Sequence, residues 1–264
     1  MKKEIFYLFA FLLLLLTSSC NELGTNDTAQ PVEGDLIIGI TELNLTIQPA
    51  TPDLFFQMST RKIYPCLNYT IQRNVKINPG YIDVNVTGIL APNICLTALG
   101  PANSRDILDI TPGNYNLTIK SSGLTNNYSV VITDSSISFD KDSTGNTHVR
   151  FKTVWRYPVN SFVYLCGTLT QDSSIYKDFI DTLRSKINIT EFKFPSGGKI
   201  PYPVVASGYY YNAPARYFIY QSETDFDKIG EILKSYKEKY LKDKTGYGIS
   251  IVNWKNKYFY SWLL

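Results

Sequence analysis

The amino-acid sequence predicts two domains, an N-terminal all-β immunoglobulin-like sandwich and a C-terminal α+β domain of ferredoxin-like βαββαβ order with an added strand. Short β-prone runs broken by turn residues fill 35–139 with almost no helical period. Apolar residues at four-residue spacing appear only within 147–264, and aromatic β-prone runs lie between and after them.

The first twenty residues read as an address. Lys2 and Lys3 precede a run without charge from Ile5 to Leu16, and the small residues Ser18 and Ser19 stand before Cys20. A basic start, an apolar middle and a small-residue cleavage site make an export signal. The apolar run is shorter than the roughly 18 to 20 residues a helix needs to cross a hydrocarbon core, which disfavours a permanent span. This arrangement resembles the lipobox of bacterial lipoproteins, with Thr17 where leucine is usual and Leu16 one step earlier. The resemblance covers these twenty residues alone. It implies cleavage before Cys20, acylation of Cys20 by chains such as palmitate, and an envelope protein held to the membrane through lipid. Asn21 is not the aspartate that retains such proteins at the inner membrane in some enteric bacteria, so the outer membrane is favoured. Residues 1–19 are then the signal peptide, and 20–34, polar and carrying Gly, Pro, Asn and Asp, a lipidated tether.

Along the sandwich, Leu43, Leu45 and Ile47 alternate with Asn44 and Thr46. Tyr81 to Val86 alternates likewise, as do Tyr115, Leu117 and Ile119 after a Thr-Pro-Gly-Asn turn, and Tyr128 to Ile132 continues the rhythm. No Trp lies between Cys66 and Cys95, so the antibody hallmark is missing, but a disulfide between these two cysteines is allowed in an oxidising compartment.

In the second region, Ile175, Phe179, Leu183 and Ile187 predict one amphipathic helix capped near Asp172 or Ser173. A second helix follows Ser222 and turns Phe226, Ile229, Leu233, Tyr236 and Tyr240 inward, with Gly246 as its stop. Strands are expected at Phe162 to Leu169, Pro203 to Tyr211, Ala215 to Gln221, Gly248 to Trp254 and Tyr258 to Leu263, with hairpin turns at 212–214 and 255–257.

The chemistry the sequence offers is sparse. The 26 basic and 23 acidic residues give a formal charge of +3 with no long run of either sign, which leaves nucleic acid without an electrostatic footprint. A lone histidine, His148, is a poor candidate for the base of a nucleophilic triad, and no G-x-S-x-G elbow accompanies it. Cysteines without close spacing exclude a zinc site, Cys166 reads as a buried strand thiol, and no cofactor is implied. The oxygen-bearing run Asp140, Asp142 and Thr144 ahead of Gly145 is a calcium candidate, but Phe151 stands where a calcium loop would need its bidentate glutamate. The preferred reading is a turn between Ile137 to Phe139 and His148 to Val154.

Twenty tyrosines, crowded in the second region with Trp254 and Trp262, suggest an interaction surface, since aromatic rings stack on sugars and anchor interfaces. Tyr209, Tyr211, Tyr217 and Trp254 are its candidate residues. The expectation is a lipid-anchored binding or structural module of the cell envelope rather than an enzyme, with protein or glycan as partner. The alternative is a hydrolase of envelope or other polysaccharide, which would need acidic residues converging in a cleft.

Overall fold

A computed structural model describes residues 29–46, 48–141, 145–170, 174–242 and 244–264, and places most of them in strands of two sheets with two helices. Cys20 and the signal segment lie outside the described residues, as do Ile47, Asp142 and Thr144. No helix among the described residues is long and apolar enough to cross a membrane.

The larger sheet holds β1 (Leu36–Leu43), β2 (Asp53–Tyr64), β3 (Thr70–Asn78), β4 (Tyr81–Leu90), β5 (Gly100–Ile107), β6 (Gly113–Ser121), β7 (Leu124–Ile132), β8 (Ser136–Lys141), β9 (Thr147–Val149) and β10 (Thr153–Trp155). Their order is β10-β8-β7-β6-β4-β3-β5-β2-β1-β9. The two edge strands β9 and β10 are separated by only Arg150, Phe151 and Lys152, so the edges come together and the sheet wraps round one core. Alternation does the sorting: along β4, Ile82, Val84 and Val86 are buried while Tyr81, Asp83 and Asn85 face out. Leu36, Ile38, Phe56, Leu117 and Ile119 complete the same cluster. Inside it, the Tyr128 hydroxyl donates to the Thr147 carbonyl at 3.0 Å, which satisfies a polar atom that burial would otherwise penalise.

The stretch 147–155 departs from the expected hairpin. Residues 147–149 run parallel to β1, whereas 153–155 pair antiparallel with β8, because the three intervening residues carry the chain across the seam. Parallel contacts also join β4 to β6 and β3 to β5.

Cys66 and Cys95 are bonded, with their Cα atoms 5.3 Å apart and a sequence separation of 29. The bond ties the chain after β2 to the loop before β5. Closing a loop of that length removes conformational freedom from the unfolded chain worth about 3.5 kcal/mol. Reduction, or the Cys66→Ser/Cys95→Ser double substitution, is therefore expected to lower unfolding free energy by about 3 kcal/mol in denaturant titration.

The smaller sheet holds β11 (Ser161–Thr168), β12 (Thr190–Phe192), β13 (Tyr211–Asn212), β14 (Arg216–Ile219), β15 (Tyr247–Asn253) and β16 (Tyr258–Tyr260), in the order β12-β14-β11-β15-β16 with β13 also on β11. All of its pairings are antiparallel. Helices α1 (Ser174–Arg184) and α2 (Glu223–Tyr236) follow β11 and β14 and share one face. There Phe162, Tyr164 and Cys166 meet Phe179, Leu183, Phe226 and Leu233. The segment 193–210 covers the other face, setting Tyr202 and Ala206 on Val163, Leu165 and Tyr217. Central position and two covered faces explain why every residue of β11 is buried.

Three expectations are corrected here. Pro203 to Tyr211 is not a strand, since only Tyr211 and Asn212 pair; with Pro201, Pro203 and Gly208, the preceding residues serve as a cover for the sheet. Residues 212–214 make no hairpin, because β13 and β14 both lie along β11 and not on each other. Tyr240 is exposed while Leu241 is buried, because 237–241 form a π-helical turn that advances the inward phase by one residue.

Candidate functional site: an aromatic row at an open sheet edge

β16 is the last strand of the smaller sheet. Its partner register sets Tyr258 opposite Val252 and Tyr260 opposite Ser250, on the face away from the helices, while Phe259 points to the helical core beside Phe226 at 5.2 Å. Alternation sets Tyr258 and Tyr260 on one face, and the turn 261–263, closed by the Leu263 amide on the Tyr260 carbonyl, brings Trp262 beside them. Tyr258 and Tyr260 stack at 4.7 Å with planes 19° apart, and Tyr260 and Trp262 at 4.8 Å and 3°. Tyr258 is 50% exposed and Trp262 47%. Rings stacked face to face on a sheet turn their edges outward, which suits an apolar groove or a second strand better than the flat face of a sugar.

Part of the backbone beside this row is open. The amide of Asn253 donates to the Lys257 carbonyl and that of Ser261 to the Ile249 carbonyl, both at 2.9 Å. Bonded positions alternate in an antiparallel pair, so Lys257, Phe259 and Ser261 face β15, and Tyr258 turns its N–H and C=O and Tyr260 its N–H toward the edge, while the Tyr260 carbonyl accepts from the Leu263 amide at 3.0 Å.

The four residues singled out from sequence do not form one site. Tyr209 lies across the sheet, where a Cβ on Gly167 or Gly248 would collide with it, and its ring stands 6.3 Å from Trp262. Tyr211 is exposed in β13. Tyr217 is buried in the covered face, three strand spacings or about 14 Å from β16. Trp254 is half-buried; its Nε1 donates to the Tyr220 hydroxyl at 3.1 Å, and the Lys255 ammonium lies 5.0 Å from its ring centre. Tyr209 thus borders the row, Tyr211 lies on the far side of β11 from it, and Tyr217 and Trp254 are packing residues. Tyr258, Tyr260 and Trp262 were legible only as part of the tyrosine crowd; their i, i+2, i+4 spacing was the signal that could have isolated them.

Comparison with protein-family models, curated proteins and solved structures returns no match. The chemistry must therefore be read from the side chains alone. His148 Nε2 sits 2.9 Å from Asp35 Oδ2, a carboxylate that also faces Arg61 at 3.7 Å. Buried and half-buried carboxylates are tied to arginine: Glu42 to Arg156, Asp106 to Arg73, and Glu191 to both Arg216 and Arg184. The hydrogen bond from Arg216 holds the Glu191 carboxyl below its ordinary range, with Arg184 adding to it. That is the opposite of the raised value a general acid needs. Burial pushes the Cys166 thiol up to about 11, so it stays protonated and unreactive. No group of three or more His, Cys, Asp or Glu among the described residues is placed to hold a metal, and of the calcium candidate only Asp140, on β8, is described.

Proposed function

We propose that this chain is a lipid-anchored binding module of the cell envelope, held to a membrane through Cys20, and that the edge of β16 docks an extended segment of a partner protein. The observation that carries the docking reading is the row of Tyr258, Tyr260 and Trp262, exposed at both ends, beside the Tyr258 backbone groups and the Tyr260 N–H turned to the edge. Addition of a strand supplies main-chain hydrogen bonds, and the aromatic edges supply apolar contact to every second side chain. The anchor rests on the lipobox-like residues 17–20 and favours the outer membrane.

The same reading treats the chain as two domains, an immunoglobulin-like sandwich and a ferredoxin-like layer with β16 as its added strand. The single wrapped core supports the first, and the order β12-β14-β11-β15 with both helices on one face supports the second. In that arrangement the added strand is what carries the binding edge.

A photo-crosslinking residue at Tyr258 in cells tests it, combined with metabolic labelling by a fatty-acid precursor. Label is expected on the wild type and absent from Cys20→Ala. One protein adduct of discrete mass is expected at position 258, reduced at least tenfold by Tyr260→Pro and much less by Tyr260→Val. Proline removes only an outward N–H and leaves the ladder to β15 intact. An adduct indifferent to proline, or the same adduct from a crosslinker at Leu124 on the larger sheet, would sink the docking reading.

A further inference from the structure

The outer face of the larger sheet carries a hollow of about 450 Å³ crossed by β1, β2 and β5. Registers place Gly39 beside Gln57 and Gln57 beside Arg105, with Ser59 beside Asn103 in the next row. On the other side of Gly39 the chain passes from β9 to Arg150, whose amide donates to the Ile38 carbonyl. A Cβ at Gly39 would meet nothing within 4 Å, so the glycine opens the floor between the two arginines. About 14 Å of sheet separates the backbones of Arg105 and Arg150, three strand spacings, a gap that two long side chains can span from both ends.

A second hollow of about 470 Å³ adjoins the first through Arg150 and adds Lys152 and Lys199. The carbonyl and amide of Lys199 bond Trp155 and Thr153, which fixes this lysine at the seam. Its ammonium lies 5.8 Å from the Phe151 ring centre.

The other five arginines of the chain each have a carboxylate within 4.0 Å, whatever their exposure. Arg73 is bound to Asp106 at 2.6 Å, and Arg156 and Arg216 have their glutamates. Among the described residues, Arg105, Arg150, Lys152 and Lys199 have no carboxylate within 4.0 Å. Four cations thus follow one path through two joined hollows in a chain whose net charge is only +3. The first hollow sets Arg105 and Arg150 beside Gln57, Ser59 and Asn103, whose amide and hydroxyl groups match sugar hydroxyls.

We infer that these joined hollows bind an acidic polysaccharide, its carboxylate or sulfate groups taken by Arg105, Arg150, Lys152 and Lys199 and its hydroxyls by Gln57, Ser59 and Asn103. Arginine forks suit planar carboxylates and sulfates. The first hollow has no aromatic side chain among its lining residues on which a nucleic-acid base could stack, which favours sugar over nucleic acid. This site is separate from the β16 edge, and neither depends on the other.

The test is titration calorimetry of the full-length protein in detergent with polygalacturonate, dextran sulfate, neutral dextran, phosphatidylglycerol vesicles and single-stranded DNA. Binding of an acidic polysaccharide is expected, weakened by salt and absent with neutral dextran. Arg105→Gln/Arg150→Gln should weaken it at least tenfold, Arg105→Lys/Arg150→Lys by less, and Tyr258→Ala not at all. Circular dichroism and melting temperature check that these exposed substitutions leave the fold intact. Equal affinity in the double glutamine variant, no binding of either acidic polysaccharide, or tighter binding of vesicles or DNA would overturn the inference.

Discussion

Phe162→Ala is expected to lower unfolding free energy by about 4 kcal/mol. Phe162 is the second residue of the central strand β11 and is fully buried. Its ring stacks on Phe218 at 5.3 Å and stands 6.3 Å from Tyr220 and 6.1 Å from Phe226. Truncation removes the ring from a cluster fed by β11, β14 and α2, none of which can collapse into the gap without breaking sheet register or helix packing. The lost transfer energy and the cavity therefore add, and the ring-pair geometry contributes about 0.5 to 1.5 kcal/mol per pair on top of area. Tyr210→Ala, at 87% exposure, is the control and should change stability by less than about 0.5 kcal/mol. Denaturant titration of both variants measures the difference, and a cost below about 2 kcal/mol for Phe162→Ala would mean that the cluster reorganises. The loss should also reach the edge, because Phe226 touches Phe259, the residue between Tyr258 and Tyr260 in β16. Crosslinking from position 258 is expected to fall in Phe162→Ala even though the substituted residue is remote from the row.

Strong local periods are where sequence reading succeeds. β4, β6 and β7 announce themselves because one face is buried and the other wet, and α1 does so through Ile175, Phe179 and Leu183. The three-residue strands β9, β10 and β12 carry no period long enough to read, and their existence depends on partners far along the chain. Pro203 to Tyr211 is apolar for a different reason, since it covers a sheet instead of joining one, and composition alone cannot separate those fates. At the candidate site, the strand beginning at Tyr258 is legible, but which of its faces stays open depends on where segment 193–210 settles. It covers Tyr217 and stops short of β16, so the tyrosine chosen from sequence is buried and the row beyond it is not. Charge was the least legible property. Basic and acidic residues are nearly balanced along the chain, and only folding separates Arg73, Arg156 and Arg216, which are paired internally, from Arg105 and Arg150, which are left facing a recess.

Glu42→Ala is the second large effect, expected at about 4 kcal/mol. Glu42 sits near the end of β1 and is only 5% exposed. One carboxylate oxygen accepts from Arg156 Nε at 2.8 Å and the other from the backbone amide of Tyr157 at 2.7 Å. Arg156 in turn donates to the Thr133 carbonyl at 2.7 Å. Residues 156 and 157 lie between β10, the last strand of the larger sheet, and β11, the first of the smaller, so this carboxylate fastens the passage from one sheet to the other. Alanine would strand both a guanidinium that is 19% exposed and an amide hydrogen in a water-poor place, and breaking a buried pair from one side costs about 3 to 5 kcal/mol. Glu42→Gln keeps the shape and an acceptor for the Tyr157 amide but removes the charge opposite Arg156, and should cost about half as much. The Glu42→Leu/Arg156→Met pair separates the two causes. With neither charge left buried, the penalty should shrink to about 1 to 2 kcal/mol, the residue being the unsatisfied Tyr157 amide. Additive single-site costs in that cycle would show that Glu42 and Arg156 act independently, and the junction would then owe its rigidity to the Lys199 backbone bonds with Thr153 and Trp155 instead.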